Sequence, residues 1–190
     1  MAVAAARWLG LCAVVLIAAA CGGSSEGTSS SSSPSPSPSP SESHIASVDA
    51  CMLVTASDAS TAVGSAVVNL ATVGGVAIPG TCFYGQPNGG SAGVFIYAQV
   101  YPNASATSAV DANTLAAALG GRISGVTNAK VLTGVGDKAA EYTANGAGGT
   151  GVAILVYKAN VVIMIVVDPA PSPSKAEDLA RTAVSRLVFS

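Results

Sequence analysis

Gly134-Val135-Gly136-Asp137-Lys138-Ala139 carries the letters of a dinucleotide fingerprint, G-x-G-x-x-A, in which amides at the start of a helix hold a pyrophosphate. That chemistry needs a strand before the glycines and a helix after them. The next residues, Ala140-Glu141-Tyr142-Thr143-Ala144-Asn145-Gly146, read as a strand running into a Gly-rich turn, so a turn entering a strand is expected instead. Acid–base work could fall to neighbouring carboxylates, Asp137 with Glu141 or Glu177 with Asp178. Both pairs read more simply as surface residues, because Glu177 belongs to a capping box and adjacent helical residues do not face one another. A Ser-His-Asp or Cys-His relay needs a histidine, and the one histidine, His44, lies in a Ser/Pro-rich stretch. The carboxylates also lack the Asp-rich loop spacing of a calcium site, so neither a metal nor a cofactor is expected. Asn103-Ala104-Ser105 matches a glycosylation sequon, a three-residue pattern for which the bland reading is the better one.

The elements that must position any site can be read from capping and periodicity. Thr55 and Asp58 form a capping box for a first helix ended by Gly64. An extended region over 67–78, broken at Gly74-Gly75, leads to a short strand at Cys82-Phe83-Tyr84 and a turn at Pro87-Asn88-Gly89-Gly90. Gly93 to Tyr101 alternates as a strand, and Ser105 to Leu119 reads as an Ala-rich helix stopped by Gly120-Gly121. Lys138 to Ala144 is a further strand, and Gly151–Lys158 and Val161–Val167 form a hairpin closed at Ala159-Asn160. Ser174-Lys175-Ala176-Glu177 is a second capping box, opening a helix with Ala176, Leu179, Ala180, Ala183, Val184 and Leu187 on one face. The order helix, strands, helix, strands, helix predicts an α+β domain with one mostly antiparallel sheet and helices packed on a face.

The N-terminus carries one positive charge, Arg7, then an unbroken small or apolar stretch from Trp8 to Ala20. This is the layout of a signal peptide, too short for the roughly 20 residues of a spanning helix. Ile17-Ala18-Ala19-Ala20-Cys21-Gly22-Gly23 resembles the cleavage box of bacterial lipoproteins, in which the cysteine is diacylated and becomes the new N-terminus. It departs from that pattern in placing Ala18, not a branched residue, three positions before Cys21. The other reading takes Ala18-x-Ala20 as an ordinary cleavage site and leaves Cys21 a free thiol. Cys12 leaves with the signal, so the mature chain keeps Cys21, Cys51 and Cys82, and lipid on Cys21 resolves that odd count. Residues 1–20 are thus read as signal peptide, 21–48 as the lipidated cysteine and a Ser/Gly/Pro linker holding four Ser-Pro dipeptides, and 49–190 as one domain.

Eight basic and ten acidic residues give the chain a net charge of -2, and charged residues make up 9% of it. The seven basic residues left after the signal peptide are scattered from Arg122 to Arg186, which argues against a nucleic-acid partner. Asp49-Ala50-Cys51-Met52-Leu53-Val54-Thr55, Cys82-Phe83-Tyr84 and Gly134-Val135-Gly136-Asp137-Lys138-Ala139 together resemble a family of actinobacterial lipoproteins of unknown function. The resemblance implies a cell-envelope address, a disulfide between Cys51 and Cys82 and no catalytic residues.

Alternation places Val94, Ile96, Ala98 and Val100 on one strand face and Phe95, Tyr97, Gln99 and Tyr101 on the other. In the hairpin, a β-branched face opposes one holding Leu155, Tyr157 and Met164. The aromatic, Met and Gln face is a candidate surface for an amphipathic small molecule or an envelope protein; the alternative is a second core layer covered by a helix or loop. The whole sequence supports two functions. One is a non-enzymatic binding module held at the extracytoplasmic face of the cell membrane by lipid on Cys21, and the other is a carboxylate-dependent hydrolase of cell-wall glycans.

Overall fold

Asp49 caps a single helical turn, α1 (Ala50–Leu53), its carboxylate accepting the Cys51 N–H at 2.9 Å. The capping box read at Thr55 then opens α2 (Ala56–Val63): the Thr55 hydroxyl accepts the Asp58 N–H at 3.2 Å and the Asp58 carboxylate accepts the Thr55 N–H at 2.9 Å. Gly64, at a φ of 76°, ends it in the left-handed region. The computed structural model describes residues 44–70, 78–118, 124–146 and 149–190. The signal peptide, Cys21, most of the linker, the break at Gly74-Gly75 and the stop at Gly120-Gly121 lie outside the described residues.

Seven strands form one antiparallel sheet: β1 (Val68–Leu70), β2 (Thr81–Gly85), β3 (Gly93–Val100), β4 (Ser124–Leu132), β5 (Lys138–Gly146), β6 (Gly149–Lys158) and β7 (Val161–Asp168), in the order β1-β2-β3-β7-β6-β5-β4. The hairpin at Ala159-Asn160 forms with the expected two-residue connection, Ala159 sitting in the left-handed region at φ 50°. Asp137 steadies that turn by accepting the Ala159 N–H at 2.7 Å. After the last strand comes α5 (Pro173–Ser185), the helix expected from the Ala/Leu stripe, with Ala176, Leu179, Ala180, Ala183 and Leu187 buried. The fold is α+β, with the expected order of elements.

Two helix starts differ from the sequence reading. The expected helix over 105–119 is divided into α3 (Ala104–Thr107) and α4 (Ala112–Ala118), because Asp111 turns its carboxylate onto the Asn113 and Thr114 N–H groups, at 2.9 and 2.8 Å, and so caps a new start. Asn103, the residue of the sequon, caps α3 by accepting the Ala106 N–H at 2.8 Å. At α5 the helix begins before the expected capping box, with Ser172 as its cap and Pro173 in the first turn, where a missing N–H costs nothing. The Ser174 hydroxyl meets that of Ser172, and Glu177 is drawn away to Lys130 and Arg181.

The sheet buries both faces. On one, Ile96, Ile154, Ile163 and Ile165 pack with Leu53, Ala59, Leu179 and Ala183 of the three helices α1, α2 and α5. On the other, Phe95, Leu155, Val162 and Met164 pack with Ala112, Leu115 and Ala116 of α4. A disulfide joins Cys51 of α1 to Cys82 of β2, with the Asn69 amide 3.5 and 3.3 Å from the two sulfurs. The packed chain also starts earlier than residue 49. Ile45 is fully buried, and the Ser190 N–H donates to the His44 carbonyl at 2.9 Å, joining the two ends of the domain.

Candidate functional site

Antiparallel pairing sets the side chains of the second face in rows. One row runs Gln99, Val162, Tyr157, Lys138 across β3, β7, β6 and β5; the next runs Tyr97, Met164, Leu155, Ala140. A third begins on β2 and runs Phe83, Phe95, Val166, Ala153, Tyr142. Four of the five tyrosines and two of the three phenylalanines of the chain therefore belong to one side of the sheet. Phe83 lies across the paired glycines Gly85 and Gly93; a Cβ on either would stand 3.2 Å from its ring.

All seven residues expected on this face are there, but α4 divides them. Leu155 and Met164 are 0% exposed and Phe95 is 7% exposed, so these three form the interior of a second core layer. Tyr97, Tyr101 and Tyr157 are half-buried, and Gln99 is exposed. The Tyr157 hydroxyl donates to the Val110 carbonyl just before α4, so that ring ties the covering segment down. Lys138 stands over the Tyr157 ring, its Nζ 5.1 Å from the centroid. What remains open lies along β3. There the Tyr97 hydroxyl donates to Gln99 Oε1, and the Tyr101 hydroxyl donates to the same oxygen at 3.4 Å.

Burial pushes the Tyr97 hydroxyl up to about 12, with Tyr101 adding to the shift. Burial raises Tyr142 and Tyr157 as well, and the nearby Asp111 carboxylate adds to both. All three are neutral hydroxyls at any physiological pH, able to donate and accept but not to act as bases. Tyr142, Phe83 and Lys138 were not expected here. Alternation within Lys138–Ala144 could have set Lys138 and Tyr142 together, but which side of the sheet they share follows only from the pairing of β5 with β6.

The carboxylates paired in the sequence reading lie apart from this face. Asp137 bonds Lys158 at 2.5 Å and does not meet Glu141, which instead lies 3.6 Å from Lys130. Lys130 also bonds Glu177 at 3.2 Å, bringing together two carboxylates from β5 and α5 that the sequence did not pair. Arg181 bonds Glu177 and Asp178, each at 3.0 Å. Lys130 and then Arg181 hold the Glu177 carboxyl below the usual range, against some burial. Among the described residues, no three His, Cys, Asp or Glu side chains gather as a metal site.

The fingerprint letters at 134–139 form a turn. Gly134 and Gly136 have φ of 72° and 62°, a Cβ on Gly136 would stand 2.6 Å from the Tyr157 carbonyl oxygen, and Lys138 begins β5 rather than a helix. Gly136 serves close approach to the β6–β7 hairpin, whereas Gly134 stands in open space and serves the turn through its positive φ.

No family model and no curated protein matches the chain. Among solved structures, a GTP-binding regulator from Thermotoga maritima is similar at 17% identity and a TM-score of 0.30, covering 72% of this chain and 82% of its own. A likeness that loose carries no argument about fold or function.

Proposed function

We propose that the chain is a cell-envelope lipoprotein of the actinobacterial kind, anchored on the extracytoplasmic side of the membrane by lipid on Cys21. Its domain binds an amphipathic ligand or envelope partner at the open strip of the tyrosine face. The cleavage box and the odd thiol count support the anchor, and a disulfide suits an oxidising compartment. The observation that carries the binding reading is the convergence of two tyrosine hydroxyls on the exposed Gln99. Aromatic rings with polar tips beside an exposed amide give contact area at little entropic cost, together with directed hydrogen bonds.

A glycan hydrolase would need two carboxyls across a cleft, one kept protonated by a raised pKa. Glu177 is shifted the other way by its cations. That favours binding over hydrolysis.

The anchor is tested by labelling cells with radioactive fatty acid: label should enter the wild type and be absent from Cys21→Ser. The face is tested by mass spectrometry of material co-purified with the wild type and with Gln99→Arg, which sets a charge in the open strip. The variant should fold normally and lose the material. Identical material on both proteins contradicts the binding reading.

A further inference from the structure

Resting on that reading of the face, we infer that its ligand is a neutral pyranose chain, stacked on the rings of Tyr97 and Tyr101 and hydrogen-bonded to the Gln99 amide. Gln99 Oε1 is occupied by the two tyrosine hydroxyls, which leaves its Nε2 to donate outward; among the described residues no acceptor takes those N–H groups. The strip thus offers two N–H donors between two flat rings, and each hydroxyl keeps a lone pair for a ligand O–H. A pyranose is the complement of that pattern, with apolar C–H groups on its faces and hydroxyls around its rim. Tyr97 and Tyr101 stand two residues to either side of Gln99 with both hydroxyls on its one oxygen, so the rings and the amide form one compact contact for a ring of such a chain.

Two other ligand classes fit less well. An acyl chain would need the apolar interior of this face, and Leu155, Val162 and Met164 there are fully buried against α4. A phosphate or carboxylate would need a cation. The cation in the Gln99 row is Lys138, three strands away at about 14 Å, beyond the screening length of physiological salt. The strip itself carries no charge, as suits a neutral ligand.

The test uses the purified full chain in polyoxyethylene detergent, which presents no sugar. Isothermal titration calorimetry follows two β-linked tetrasaccharides, one of N-acetylglucosamine and one of glucose. At least one should bind, with affinity falling about tenfold or more in Gln99→Leu and in Tyr101→Ala while the melting temperature of Gln99→Leu stays unchanged. Tyr101→Phe, which keeps the ring and loses the hydroxyl, should fall less. No heat from either sugar, or equal affinity in wild type and Gln99→Leu, overturns the ligand class. If Gln99→Arg still strips the co-purifying material in that case, the face remains a binding surface for other chemistry; if it does not, both readings fail.

Discussion

The Asn160 side chain closes on the backbone of Ile45 at both ends of its amide: Oδ1 accepts the Ile45 N–H at 2.8 Å and Nδ2 donates to the Ile45 carbonyl at 2.9 Å. A third bond, from Nδ2 to the Tyr101 carbonyl at 3.0 Å, ties the end of the tyrosine strand to the same point. One buried amide in the β6–β7 turn therefore fixes both the backbone at Ile45 and the end of the open strip. Asn160→Ala would leave the Ile45 groups buried without these partners. It should cost about 2 to 4 kcal/mol in chemical denaturation, whereas an exposed substitution such as Lys175→Ala should stay within about 0.5 kcal/mol.

The Cys51–Cys82 disulfide closes a loop of sequence separation 31. Chain entropy alone assigns it about 3 to 4 kcal/mol. The double variant Cys51→Ala/Cys82→Ala should lose about that much stability, and added reductant should lower the melting temperature of the wild type and leave the variant's unchanged.

Arg186 donates to the Asp58 carboxylate at 2.7 Å and to the Leu53 carbonyl at 2.9 Å, clamping α5 to the α1–α2 corner. That guanidinium, helped by Thr55 and opposed by burial, holds the Asp58 carboxyl at about 2 against an ordinary 3.8. Because the folded value is depressed, the stabilisation is fully present above about pH 4 and is lost as pH falls toward 2. Solvent reaches the pair, so the slope should amount to only about 1 kcal/mol. Acid titrations of stability should show that slope in the wild type and a flatter one in Asp58→Asn, which retains the capping geometry.

The division of the second face makes a direct forecast. Met164→Ala should cost about 2 to 5 kcal/mol, as for any large buried side chain. Gln99→Ala, exposed on the same face, should melt within about 0.5 kcal/mol of the wild type. Equal losses at the two sites would mean that the strip along β3 is as much core as Met164.

Residues with strong local signals were legible in the sequence. Thr55, Asp58 and Gly64 bound α2 through caps that act within one turn, and the β-branched runs 151–158 and 161–167 alternate too regularly to pair another way. β4 was not legible. Ser124–Leu132 has Gly, Thr, Asn and Lys where alternation should show, and its pairing with β5 shifts register twice, as an edge strand tolerates. The break at Asp111 was hidden by an Ala-rich composition that suits one long helix, and the early start of α5 by a Ser174–Glu177 spacing that fits a capping box while Glu177 turns to a long-range cation. For the site, alternation alone put Tyr97, Gln99 and Tyr101 together. Which of the seven residues α4 covers depends on packing between elements far apart in sequence, which periodicity does not encode.

The central claim, that the strip along β3 is occupied in the cell, is tested most directly by tyrosine nitration in native envelopes and in the purified protein, read residue by residue by mass spectrometry. Tyr97 and Tyr101 should be protected in envelopes and become reactive once the purified protein has been stripped of its co-purifying material, while Tyr84, buried on the opposite face with its hydroxyl bonded to the Val54 carbonyl, should resist in both. Equal nitration of Tyr97 and Tyr101 in envelopes and in the stripped protein would contradict the claim.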